Sequence, residues 1–350
     1  MPLKLTVDAD RWRKHVQTFA EATPGLVPVA KGNGYGLTLR KLAHQTEWLT
    51  SLGTGVDTLA VGTYNEVWEV ATRFSGSIYV LTPWRPYSPE INPEIADRII
   101  HTISRPEDLP LLLERQPGAR VILELVTSMR RHGMTPSDLW PTATVAREHA
   151  RFEGITMHFG LDGGSLAEVR AQMDAVVGAE AKTVWVSHLS ANELAQLRAA
   201  YGDITFRPRV GTALWLGDRG ALTVAATVED VHPLERGYSY GYRGRTAMRA
   251  GHLVVASGGT AHGIGLEAPL GDTHLRSRAL AVARGGLDAM GQSRSPYTLD
   301  GKALWFAEPP HMQESMLMLP SGARVPEVGE ELEVRVRYTA TSFDEIILDS

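Results

Sequence analysis

Between Val27 and about Trp215 the sequence repeats one pattern eight times: a short apolar run, then a stretch of helix length. The runs are Val27–Ala30, Thr58–Val61, Ser77–Leu81, Ile99–Ile103, Arg120–Leu125, Gly154–Phe159, Thr183–Val186 and Ile204–Phe206. Between them lie segments such as Leu39–Leu52, Asn65–Arg73, Pro106–Arg115, Pro136–Ala150, Ser165–Val177 and Ala191–Ala200. Several of these open on Ser, Pro or Asp, the residues that begin helices. Continuous apolar runs suit strands buried on both faces, and eight βα units in strict alternation predict a closed (β/α)₈ barrel of the TIM type. The competing open, doubly wound sheet calls for a G-x-G-x-x-G turn after an early strand, and the sequence has none.

The texture changes after Gly217. Alternation of period two runs through Leu222–Val228, His252–Ala256 and Leu332–Tyr338, with Gly and Pro clusters between, as in antiparallel strands with one buried face. The expected organisation is therefore a barrel domain over residues 1–217 and a smaller, mainly antiparallel β-domain over 218–350. The opening Lys4–Val7 run is a candidate to pair with that domain's sheet.

Charge and composition narrow the function. A net charge of -5 and a pI near 6.2 give no basic field for nucleic acid. The chain has no Cys, which excludes disulfides, thiolate metal ligands and cysteine nucleophiles. Met-Pro-Leu-Lys-Leu-Thr-Val-Asp at the start has no apolar signal core, and no stretch approaches a membrane span. A soluble cytoplasmic protein without a metal site is the expectation.

Barrels of this kind carry their chemistry at the C-terminal ends of the strands. There the sequence offers Lys31 with Tyr35 in Lys-Gly-Asn-Gly-Tyr-Gly, Arg131 after the fifth run, His158 at the end of the sixth, Ser190 and Asn192 after the seventh, and Arg209 with Gly211 after the eighth. A lone strand-end His is more often a hydrogen-bonded structural residue, and a lone loop Arg is usually solvated. Convergence on one mouth is what gives them weight. A Lys at the mouth of an apolar pocket can lose its proton and form a Schiff base with a carbonyl cofactor, of which pyridoxal phosphate (PLP) is the common one.

These segments resemble the alanine racemase family in order. Lys31-Gly-Asn-Gly-Tyr-Gly is similar to K-A-N-A-Y-G, Met129-Arg-Arg-His-Gly to M-G-R-L-G, Phe152-Glu-Gly-Ile-Thr-Met-His-Phe to F-E-G-x-x-T-H-F, and Arg209-Val-Gly-Thr-Ala-Leu-Trp to R-x-G-I-A-L-Y. In the β-domain, Tyr238-Ser-Tyr-Gly resembles V-S-Y-G and His311-Met-Gln-Glu-Ser-Met resembles C-M-D-Q-x-M. The resemblance runs from about Val7 to the C-terminal part, strong in the barrel and patchy beyond Tyr240.

It implies a PLP-dependent amino-acid racemase, an isomerase, with Lys31 bonded to PLP. Tyr35 would contact the phosphate along with Ser190, Asn192 and the backbone at Gly211 and Thr212. His158 would pack on the ring, Arg131 would face its phenolic oxygen, and Arg209 would donate to the ring nitrogen and keep it unprotonated. Lys31 and Tyr240 would be the acid/base groups on opposite faces of the substrate carbon, with Arg131 and Met312 at the substrate. Tyr240 would reach a neighbouring subunit in a head-to-tail homodimer with shared sites. Alanine is the leading substrate. A retro-aldol or decarboxylation on the same scaffold, or a non-catalytic PLP-binding homologue, are the alternatives, and Tyr240 favours racemisation over the first of these.

The departures cluster near the substrate side. Glu193 stands after Ala191-Asn192 where the family has Ser, with Ser190 the expected substitute. Gln313 replaces Asp, Glu308-Pro-Pro-His precedes Met312, the family's C-terminal Tyr has only Phe343 or Asp344 near its place, and Gly263–Glu267 takes the place of G-Y-A-D-G. In the fifth run Glu124 occupies a position where family members often carry a Lys that forms a carbamate. It is expected to point into the barrel, pair with Arg131 and orient it, making activity independent of bicarbonate.

Overall fold

The computed structural model describes residues 2–161, 165–266 and 293–349. Glu267 lies outside them. The chain divides into two compact units, Arg13–Gly217 and a second made of Met1–Trp12 with Asp218–Ser350.

The first unit is a closed, all-parallel barrel. If Leu3–Asp8 is β1, the barrel strands are β2 (Val27–Ala30), β3 (Thr58–Val61), β4 (Ser77–Val80), β5 (Ile99–Ile103), β6 (Arg120–Glu124), β7 (Arg151–Met157), β8 (Thr183–Val186) and β9 (Thr205–Val210). The ring closes where Val27 pairs with Arg209 and Pro28 with Val210. Val27, Val29, Ala60, Tyr79, Ile100, Ile122 and Trp185 form one buried cluster from six strands. Each large apolar side chain buried there contributes about 1.5–3 kcal/mol. Tyr79 meets Trp185 edge to face, with ring centroids 5.3 Å apart.

Four barrel strands differ from the sequence expectation: β4 and β6 each end one residue early, at Val80 and Glu124, and β7 and β9 differ by more. β7 starts at Arg151, three residues before the expected Gly154, because Gly154 is a bulge inside the strand and not its beginning. Its φ is +117°, and a Cβ there would strike the Thr183 carbonyl. β9 extends to Val210, so Arg209 lies within the strand. The Arg207 and Arg209 side chains project against the Trp185 and Tyr79 rings, at 4.4 and 5.7 Å, and these charges interrupt the apolar pattern of a strand whose inner face is nonetheless buried. The Asn65–Arg73 segment is also shorter than expected, a 3₁₀ turn Tyr64–Glu66 followed by a helix Val67–Ala71.

The second unit is built on an eight-stranded sheet. Its strands are β10 (Leu222–Leu234), β13 (Gly251–Ser257), β14 (Arg294–Leu299), β15 (Lys302–Phe306), β16 (Glu314–Pro320), β17 (Glu331–Val334) and β18 (Glu345–Asp349), together with β1. A two-stranded ladder, β11 (Ser239–Tyr240) with β12 (Arg245–Thr246), stands apart. The sheet order is β13-β16-β15-β14-β17-β10-β1-β18. β1 runs antiparallel to β10, Leu3 facing Ala226, and parallel to β18, Lys4 facing Glu345. The expected strand over Leu332–Tyr338 stops at Val334.

Candidate active site

Lys31 follows the last residue of β2, and its Cβ lies 3.1 Å from where a Cβ on Gly62 would be. Gly62, just past β3, therefore makes room for the lysine stem. Glu66 fixes the loop beyond: its carboxylate accepts the N–H of Gly32 at 2.9 Å, of Gly62 at 2.6 Å and of Thr63 at 3.2 Å. Burial lowers the Lys31 pKa, Arg131 and Arg209 lower it further, and Glu66 opposes them. The amine is thus biased towards its neutral, nucleophilic form.

Tyr35 sits four residues later in the short turn Gly34–Gly36, in the left-handed region, φ 56°, with its side chain buried. Its hydroxyl reaches the backbone of Gly211, where a Cβ would collide with it. The two glycine-bearing motifs, far apart in sequence, thereby meet. Burial pushes the Tyr35 phenol up to about 12, so it is a neutral donor at working pH. Gly211 precedes a short helix, Thr212–Trp215, whose Trp215 indole donates to the Val29 carbonyl at 2.8 Å and ties that helix to β2.

Arg209 is buried on β9. One guanidinium nitrogen donates to the Met157 carbonyl at 3.0 Å, while Nε has no protein partner. His158, the residue after Met157, holds Nδ1 2.6 Å from Ser187 Oγ, and its ring leans on His188 at 5.1 Å. Burial and then Arg209, Arg131, His188 and Lys31 hold this imidazole down to about 3, which makes it neutral. Arg131 lines a small cavity with Glu124, Leu125, Thr127, Met129, His132 and His158.

Glu124 points inwards and is buried, as its strand position requires. The expected pair with Arg131 does not form: among the described residues no ion pair or hydrogen bond involves its carboxylate, and Oε2 is buried without a partner. Burial raises its pKa to about 7, against Arg209 first, then Arg131 and Arg85. Arg131 comes from a loop seven residues beyond and stays exposed, whereas Arg209 is fixed within the barrel wall, and so exerts the larger pull.

Ser190 and Asn192 open the helix Ala191–Ala200. The Ser190 hydroxyl accepts from the Glu193 N–H and donates to its carboxylate at 2.7 Å, a reciprocal cap that engages both groups. No hydrogen bond or ion pair among the described residues joins Ser190 or Asn192 to Lys31 or Arg209. Tyr240 and Met312 belong to the other unit. Tyr240 lies on β11 opposite Arg245, and Met312 is exposed in a loop before β16. Glu66 and Ser187 were not singled out from sequence; Thr63-x-x-Glu66 carries the capping-box spacing that could have revealed the first.

A model of the alanine racemase N-terminal domain matches residues 7–217. The chain belongs to the alanine racemase family. This racemase-family chain is 27% identical over 270 residues to an alanine racemase of Nitratidesulfovibrio vulgaris, covering 70% of each. Its fold matches the alanine racemase of Bartonella henselae, solved with covalently bound pyridoxal phosphate, at a TM-score of 0.71 and 17% identity over 100% of both chains. A histidine racemase of Leuconostoc mesenteroides subsp. sake matches at 0.67 and 16% identity, over 100% of this chain and 98% of that one.

The site residues fit a phosphate-bearing aldehyde. Beyond burial, Arg131 and Arg209 lower the pKa of both Lys31 and His158, a positive field that an anionic cofactor would relieve. The Arg209 Nε is a buried donor with no protein acceptor, and the Tyr35 hydroxyl faces the backbone that leads into the Thr212 helix.

Proposed function

We propose that the protein is a PLP-dependent amino-acid racemase in which Lys31 and Tyr240 act on opposite faces of the substrate carbon. The observation that carries this reading is the strand-end Lys31, its pKa lowered by burial and two arginines, in a barrel of this family. Lys31 would hold PLP, with Tyr35, Gly211 and Thr212 at the phosphate, His158 against the ring, Arg131 at the phenolic oxygen and Arg209 at the ring nitrogen. When bound, PLP supplies a conjugated system that stabilises the electron pair left by a broken Cα–H bond.

The residues supply the rest. Lys31 takes or returns a proton on one face, its depressed pKa placing it nearer the working range of a general base. Arg209 would hold the ring nitrogen as a hydrogen-bond donor, which would favour simple reprotonation at the substrate carbon. Neutral His158, held by Ser187, adds no competing charge. Tyr240 serves the second face, supplied by a second copy of the chain in a head-to-tail homodimer. Its cross-strand neighbour is Arg245.

Alanine is the first substrate to test and histidine the second. PLP-loaded protein is incubated with each enantiomer in deuterated water, and interconversion with deuterium at Cα is expected. Aldehyde or carbon dioxide release would instead indicate cleavage chemistry, and no reaction with any amino acid would indicate a binding protein. Tyr240→Phe should retain PLP and one enantiomer's Cα–H exchange while interconversion falls by ~10²–10⁴-fold.

A further inference from the structure

We infer that Glu308 is a positioning residue for Tyr240: its buried carboxylate locks the turn that follows Tyr240 to the segment carrying His311 and Met312. The inference deepens the two-base reading and rests on it.

Glu308 is 3% exposed, yet it carries a carboxylate. Its two oxygens lie 3.3 and 3.1 Å from the Tyr242 N–H, and Oε1 lies 2.7 Å from His311 Nε2. The donors come from two different segments, and the carboxylate hydrogen-bonds to both. On the first segment Gly241 adopts φ +71°, and a Cβ there would collide with the Glu308 carboxyl group, so turn and carboxylate fit only around a glycine. Beside it Tyr240 packs against the buried cluster of Leu234, Ala247, Leu253 and Ala307, the last being the residue before Glu308. Arg245, opposite Tyr240, donates to the Ala307 carbonyl at 3.2 Å. On the second segment the His311 ring lies 4.4 Å from the exposed Tyr242 ring, and the His311 N–H donates to Glu314.

Burying a carboxylate is costly, and an apolar residue of like volume commonly stabilises a fold as well or better. What a carboxylate does that an apolar group does not is bind directional donors. Here every donor it binds flanks Tyr240 on one side and Met312 on the other. A general base displaced by about 1 Å loses on the order of a hundredfold in rate. Glu308 holds the phenol within that tolerance.

The test measures Cα–H exchange in deuterated water separately for the two enantiomers of the turned-over amino acid, in PLP-loaded wild-type, Tyr240→Phe, Glu308→Gln and Gly241→Ala proteins. Glu308→Gln keeps one acceptor and loses the other. It should slow exchange of the enantiomer that Tyr240→Phe blocks by about 10- to 100-fold, with the other enantiomer's exchange changed by less than about twofold. Gly241→Ala keeps the carboxylate but moves the turn, and should show the same one-sided loss even where Glu308→Gln folds poorly. A purely structural role would slow both enantiomers together. If Tyr240→Phe is one-sided but both other variants are two-sided or unchanged, the inference fails and the two-base reading stands. If Tyr240→Phe has no effect, the two-base reading fails and takes the inference with it.

Discussion

The Tyr35 hydroxyl occupies the space that any Cβ on residue 211 would need. The lysine motif and the arginine-glycine motif are thus fitted to each other within the barrel unit. Gly211→Ala should push the phenol aside, costing about 1–3 kcal/mol of stability from overpacking and weakening PLP affinity by at least about tenfold. Denaturant unfolding and PLP titration of the same variant would check both. A PLP affinity equal to wild type would show that the Tyr35 position does not matter to the cofactor.

The Lys31 amine stands between opposing influences, burial and then two arginines lowering its pKa and Glu66 raising it. Arg131→Gln should therefore raise the Lys31 pKa and Glu66→Gln should lower it further. The rate of amine modification at Lys31 against pH, read by peptide mass in PLP-free protein, should move in those opposite directions. Borohydride treatment of PLP-loaded wild type should fix the cofactor on Lys31; labelling of Lys182 instead would overturn the assignment.

Glu124 makes stability depend on pH. Its folded pKa, raised to about 7 from the model-peptide value near 4.3, means the folded state holds the proton more tightly. The stabilisation is present below about pH 4 and is lost as pH rises to about 7, amounting to up to about 3 kcal/mol. Glu124→Gln, permanently neutral, should remove this slope and exceed the wild type in stability increasingly from pH 5 to pH 7. Unfolding midpoints for the two proteins over that range provide the check, and parallel curves would refute it.

His158 should titrate far below ordinary histidines, because burial and a surrounding set of cations disfavour its charged form. Nitrogen NMR of PLP-free protein should show a neutral ring down to about pH 4. Arg209→Gln removes the largest of those cations and should raise its pKa.

Much of the barrel was legible because strands buried on both faces must be apolar throughout, and four of the eight matched residue for residue: Val27–Ala30, Thr58–Val61, Ile99–Ile103 and Thr183–Val186. β9 runs past its apolar residues: Arg207 and Arg209 put charge on an inner face, which local pattern cannot distinguish from a loop. Gly154 hides the true start of β7, because in a sequence a glycine more often marks a turn than a bulge. Lys31, Arg131, His158 and Arg209 were visible as strand-end or loop residues. The carboxylates were not: whether Glu124 pairs with Arg131 or lies nearer the pull of Arg209 depends on depth within the barrel. Glu308's hold on the Tyr242 N–H joins positions 66 residues apart, a relation no spacing rule encodes.

The parallel pairing of β1 with β18 joins Leu3–Asp8 to Glu345–Asp349, the first described strand to the last. During synthesis at ~5–20 residues per second, β1 leaves the ribosome on the order of tens of seconds before its last partner exists. β10, its antiparallel neighbour, also arrives only after the whole barrel has been made. The barrel can close from neighbouring βα units as they emerge, but the sheet must wait with an open edge. Its completion is a long loop closure, and contacts of that kind form late and slowly. A chain stalled before β18 would leave β1 paired with β10 on one side and open on the other, the edge at which a chaperone or a second nascent chain could add a strand.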